Sequence, residues 1–170
     1  MRKNKQRRVK TSCSDGIDWH EHYFYDETCG RLYRKSHGSI NSQGYRVVIV
    51  KDICVMEHRA VWEMHNGPIP EGLFIDHING LRADNRIENL RLCTKQQNAF
   101  NRRTRFGKNS KSKGVQFIKA TGKYKAVISV DRIKKDLGYF DTEAGAARAY
   151  NDAAKQMHGD FAWLNEVIDG

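Results

Sequence analysis

The chain is poor in the residues that staple or punctuate small folds, with 4 cysteines and 2 prolines in 170 residues. Cys13, Cys29, Cys54 and Cys93 lie far apart and form no C-x-x-C pair, which argues against zinc ribbons and dithiol redox motifs. Reduced thiols suit a cytosolic protein, so the cytoplasm is the expected location. No apolar run approaches the ~20 residues of a membrane-spanning helix. The basic start is not followed by the apolar core of a secretory signal. Acid is missing from two stretches: residues 1–10 hold six Lys or Arg, residues 95–113 hold seven, and neither holds Asp or Glu.

What is present is positive charge, a formal net +10. That favours a polyanionic partner, nucleic acid first. An anionic membrane is the weaker choice, because no basic amphipathic helix with bulky apolar residues stands out. The hydrophobic fraction of 39% and charged fraction of 29% suit modest cores, either one ordinary domain or two small ones.

The patterning divides the chain. Residues 1–19 read as a basic, solvated arm. YFYDETCGRLYRK has the form of a hairpin turning at Asp26 to Gly30, and GYRVVIVKDICVM gives two more short strands joined at Lys51-Asp52. EHRAVWEMH places Ala60, Val61 and Met64 at helical spacing, ended by Gly67-Pro68. Leu73–Asp76 and Leu90–Thr94 predict two strands around a polar loop, 79–89. Thr94 and Gln97 fit a capping box for a helix on which Asn98, Asn101, Arg102 and Arg105 share a face. Residues 104–112 have linker composition; nine such residues span roughly 16 Å on average and at most about 30 Å.

Residues 113–168 predict three strands, KGVQFI, KYKAVISV and IKKDLGYF, and a helix that Thr142 caps and Gly159 ends. The small residues Ala146, Ala147, Ala153 and Ala154 allow close docking of that helix on a sheet. Alternation places Tyr124, Ala126, Ile128 and Val130 toward the helix and Lys123, Lys125, Val127 and Ser129 outward.

A chemical constellation lies in IDHINGLRADNRIENLRLCTKQQNAFNRR. Phosphodiester hydrolysis needs an activated water, and a divalent ion can stabilise the leaving oxygen. Mg2+ takes few protein oxygens, so Asp76 and Asn98 suffice as ligands. His77, on the opposite side of the strand end from Asp76, suits a general base. Asn89 is placed to tie the loop and orient His77. Other readings of the same residue types are structural: His58 among apolar helix positions reads as a hydrogen-bonded core histidine, and His20 and His22 are a weak metal pair. Arg102, Arg103 and Arg105 read as phosphate contacts.

The segment EHRAVWEMHNGPIPEGLFIDHINGLRADNRIENLRLCTKQQNAFNRR resembles the HNH endonuclease superfamily, and within it the phage and group I intron homing endonucleases. The resemblance covers about residues 23–103. It implies a ββα-metal nuclease domain over residues 20–103, His77 as general base, Asp76 and Asn98 on one Mg2+ or Mn2+ ion, and Asn89 as the central Asn. That branch includes monomeric enzymes that nick one strand of double-stranded DNA.

Residues 110–166, through KGV, LGYFDTEAGAARAY and the closing A-W-L-N, resemble the plant Apetala/ethylene-response-factor DNA-binding domain. This implies an antiparallel sheet lying in the major groove, a known place for β-readers. Carried over by position, its contacts fall on Lys113, Gln116, Ile118, Lys125, Ser129 and Lys134, with Lys123 on the same face. Asp136 stands where the plant pattern usually has Trp, so the plant target sequence does not transfer.

The expectation is therefore an α+β protein: a β-rich lead-in to a ββα-metal unit, then a three-stranded sheet on one helix. It would act as a site-directed, metal-dependent DNA endonuclease, a monomer without membrane or protein partners. The alternative is a DNA-binding regulator whose nuclease unit is inactive.

Overall fold

The structure, a computed structural model, describes residues 9–10, 19, 23–33, 39–50, 53–102, 110–131 and 133–167. It is a mixed α and β protein of small sheets and few helices. The chain divides into two compact units, 1–94 and 95–170. The division falls before the linker expected at 104–112, most of which lies outside the described residues, as do His20, His22, Arg103 and Arg105.

In the first unit, β1 (Val9–Lys10), β6 (Ile53–Met56), β5 (Arg46–Val50) and β4 (Ser39–Ile40) lie in that order in one sheet, with β1 parallel to β6. β2 (Phe24–Asp26) and β3 (Arg31–Tyr33) form the expected hairpin, closed by the Gly30 amide donating to the Asp26 carbonyl at 2.9 Å. Gly30 is required there. Its φ is +64°, and a Cβ would sit 2.1 Å from the Arg86 backbone nitrogen. α1 (Glu57–Asn66) follows β6 directly and ends at Gly67, whose φ is +77°. Its buried stripe runs through Glu57, His58, Ala60 and Val61. Ala60 and Val61 join Trp19, Tyr23, Leu32, Val48, Val55, Ile75 and Leu90 in the core. β7 (Phe74–His77) and β8 (Leu90–Cys93) complete the unit as an antiparallel pair.

In the second unit, α2 (Lys95–Phe100) precedes an antiparallel sheet in the order β11 (Ile133–Phe140), β10 (Lys123–Val130), β9 (Val115–Ile118). α3 (Glu143–His158) packs on one face. Thr142 caps it, its Oγ1 accepting from the Gly145 amide at 3.1 Å. Ala126 and Ile128 are buried against it, as strand alternation requires, and Ile128 packs with Tyr150, Ala153 and Ala154. Gly114 makes this docking possible, since a Cβ there would lie 2.1 Å from the Tyr150 ring and its φ is +72°. Among the described residues no helix is long and apolar enough to cross a membrane.

Candidate active site and nucleic-acid face

Strand alternation sends neighbouring residues of β7 to opposite faces. Ile75 joins the core, and His77, two residues on, lies on the same side. Asp76 takes the other side with its cross-strand partner Arg91. Arg91 Nε and a terminal guanidinium nitrogen donate to Asp76 Oδ2 at 3.0 and 2.9 Å. Asp76 and His77 are 6% and 5% exposed.

The loop between the two strands is held by its own side chains. Asn89 is the hub: its Oδ1 accepts from the Asn79 amide at 3.0 Å, and its Nδ2 donates to Asn79 Oδ1 at 3.1 Å and the Asp84 carbonyl at 2.8 Å. Asp84 takes both Arg86 Nε and a terminal nitrogen, at 2.8 and 2.7 Å, and also Asn79 Nδ2 at 2.7 Å. The Arg86 hydrogen bonds hold the Asp84 carboxyl down at about 2. Tyr25 fixes the far side of the loop: its hydroxyl accepts from the Ile87 amide at 2.7 Å and lies 3.3 Å from the Asn85 carbonyl.

The residue that bonds the His77 ring is Asn85, which the sequence reading did not single out. His77 Nε2 lies 2.9 Å from Asn85 Oδ1, and Asn85 Nδ2 donates to Glu57 Oε2 at 2.9 Å. Asn89 ties the loop and its carbonyl accepts from the Ile78 amide next to His77 at 2.9 Å, while Asn85 meets the imidazole itself. Burial lowers the pKa of His77 from its ordinary 6.5, opposed by the Asn85 bond and the Asp76 charge. The ring of His58 meets that of His77 edge-on, centroids 5.1 Å apart, and Tyr45 lies 5.3 Å from His58. Burial pushes His58 down to about 3. Its Nδ1 is buried with no hydrogen-bond partner among the described residues, where a bonded core histidine was expected.

The ligands expected for a metal, Asp76 and Asn98, are hard oxygen donors. Among the described residues no group of three His, Cys, Asp or Glu side chains is placed to hold an ion. One carboxylate and one amide oxygen fit a cation that keeps most of its waters and do not fit structural zinc. Asn98 lies in the second unit, on α2, five residues after Cys93 ends β8.

In the second unit the face away from α3 carries Gln116, Lys123, Ser129 and Lys134, all exposed, and the half-buried Ile118 and Lys125. Asp136 and Tyr139, exposed on the same face, were not counted among the expected contacts. Lys125 Nζ lies 2.6 Å from Asp136 Oδ2 and 5.5 Å from the centre of the Tyr139 ring. Lys113 is placed elsewhere. Its ammonium donates to the Phe100 carbonyl and, at 3.0 Å, to that of Arg102, closing the C-terminal end of α2. Burial lowers its pKa to about 8. Arg102 is exposed.

Residues 55–100, from the end of the first sheet through α2, match a family model described as HNH endonuclease. An uncharacterized HNH endonuclease of Acanthamoeba polyphaga mimivirus is 36% identical over 111 residues, which covers 65% of this chain and 57% of that protein. Protein 3.8 of Escherichia phage T7 is 31% identical over 105 residues, covering 62% of this chain and 86% of that one. The chain thus spans a little over half the length of the mimivirus relative. No solved structure gives a significant match. Asp76, His77, Asn89 and Asn98 all fall inside the matched segment, and the chain carries an HNH endonuclease domain.

Proposed function

We propose that the chain is a site-directed DNA endonuclease of the homing type that hydrolyses phosphodiester bonds with a divalent cation. The observation that carries this reading is the β7–β8 pair, which sets a carboxylate and an imidazole back to back at the mouth of a cross-tied loop, inside the family match. His77 is the general base. Its pKa is lowered by burial, so the imidazole is neutral near neutral pH and able to take a proton from water. The water oxygen then bonds to phosphorus, the bond to the 3′ oxygen breaks, and that oxygen collects a proton from solvent. Asp76 and Asn98 would hold Mg2+ or Mn2+, which would supply positive charge to the phosphate and the leaving oxygen. Asn89 holds the loop that follows the strand carrying Asp76 and His77.

Positioning on DNA falls to the second unit. Its outward sheet face engages the duplex as in the plant domain that the sequence resembles, and the basic residues Arg102, Arg103 and Arg105 contact phosphates. Lysines on that face make affinity fall with salt through counterion release.

The test is cleavage of supercoiled plasmid carrying phage-derived DNA by the full chain with Mg2+ or Mn2+, beside His77→Ala and an EDTA control. Relaxed circles that require both the metal and His77 are expected. Metal-free cleavage, or full activity in His77→Ala, would overturn the reading.

A further inference from the structure

The buried groups behind His77 form a directed chain, and its direction can be read from donor and acceptor chemistry alone. Glu57 opens α1 and is 2% exposed; Asn85 is fully buried. One carboxylate oxygen of Glu57 accepts from the Leu32 amide at 2.8 Å and the other from Asn85 Nδ2 at 2.9 Å, with Arg46 at 3.9 Å. An ionised carboxylate only accepts. The amide of Asn85 must therefore turn its NH2 toward Glu57 and its oxygen toward His77. An amide oxygen also only accepts, so the His77 nitrogen 2.9 Å away, Nε2, must carry the proton.

We propose that Glu57 and Asn85 are positioning residues that lock His77 in the Nε2–H tautomer and so make Nδ1 its basic nitrogen. This rests on the reading of His77 as general base and adds to it the groups that decide which nitrogen does the work. The lock is built on the fold. Glu57 is fixed by the start of α1 and the Leu32 amide of the β2–β3 hairpin, and the Asn85 backbone lies against Tyr25. The His58 ring also packs edge-on against the imidazole, centroids 5.1 Å apart. Glu57 lies 20 residues upstream of His77 and Asn85 sits in a loop, so no strand or helix period links them. Outer hydrogen-bond partners of metal-bound histidines cost about 10–100-fold when removed, and an effect of that order is expected for the groups behind His77.

The test joins a spectroscopic readout to a kinetic one. Long-range proton–nitrogen correlation spectra of the 15N-labelled full chain, with His77 assigned by comparison with His77→Ala, report the tautomer near neutral pH. The expected result is a protonated Nε2 and an unprotonated Nδ1. An Nδ1–H form, or an even mixture, overturns the proposal without reference to any variant. In Asn85→Ala and Glu57→Gln the tautomers should mix, and kcat for plasmid cleavage should fall about 10–100-fold with KM little changed. If His77→Ala is inactive while folded Asn85→Ala cleaves at the wild-type rate, the proposal fails and the nuclease reading stands. If His77→Ala cleaves normally, the nuclease reading fails, and the tautomer is still decided by the spectra.

Discussion

Arg91 holds Asp76 across the β7–β8 ladder, two guanidinium nitrogens on one carboxylate oxygen at 3.0 and 2.9 Å. Both side chains are largely buried, so the pair is screened little by solvent. A divalent cation on Asp76 would have to share that carboxylate with a fixed positive charge. Arg91→Ala should therefore tighten Mn2+ binding several-fold, as read by calorimetry. It should also lower stability in chelator by roughly 3 kcal/mol, because a buried carboxylate loses its main cation. Weaker Mn2+ binding in the variant would count against Asp76 as a ligand.

His58 predicts a pH dependence. Its pKa is about 3 in the folded chain against an ordinary 6.5. The unfolded chain thus binds the extra proton first, and stability falls as pH drops through 6.5 toward 3. His77, Tyr45 and Arg59 face or neighbour the ring, and the positive partners add to the effect of burial. Glu57, whose pKa is raised mainly by burial, contributes the opposite slope above its ordinary 4.5. Urea titrations at several pH values should show a flatter acid side in His58→Phe than in the wild type.

Gly114 has no room for a methyl group. Gly114→Ala must displace the Tyr150 ring or the Val127 carbonyl while holding a φ of +72°. The cost should be about 3 kcal/mol or more. Chemical denaturation should show the second unit losing its cooperative transition at lower urea.

Asp136 occupies Lys125 at 2.6 Å on the outward sheet face. Asp136→Ala should release the lysine to a phosphate and remove a repelling charge. Duplex affinity in a fluorescence titration should rise several-fold at low salt. The slope of log affinity against log salt should steepen by about one. An unchanged slope would place that face away from DNA.

Much of this fold is legible in the sequence where burial imposes a period. Ala126 and Ile128 face α3 because a half-buried strand repeats every second residue, and Ala60 and Val61 lie on one face of α1 for the matching helical reason. Tyr139 is harder to read, because a bulge opposite Ala126 and Val127 breaks the alternation of β11. Lys113 reads as an outward lysine of a strand, but β9 begins at Val115 and the lysine turns back onto the carbonyls ending α2. Asp76 and His77 stand out as adjacent reactive groups. Asn85 does not, because its meaning depends on Glu57, 28 positions away and on another element.

The loop from Ile78 to Asn89 is cross-tied through Asn79, Asp84 and Asn89 by its own side chains. Its conformational entropy is lost when the chain folds, and not when DNA arrives. Under the proposed function, docking a duplex would then carry little ordering penalty at this loop, which would favour rapid engagement. The same stiffness leaves that loop little capacity to reshape around a correct target and stay open to a wrong one. Discrimination between sites is therefore expected to come from the positioning surfaces and from how readily the DNA itself deforms.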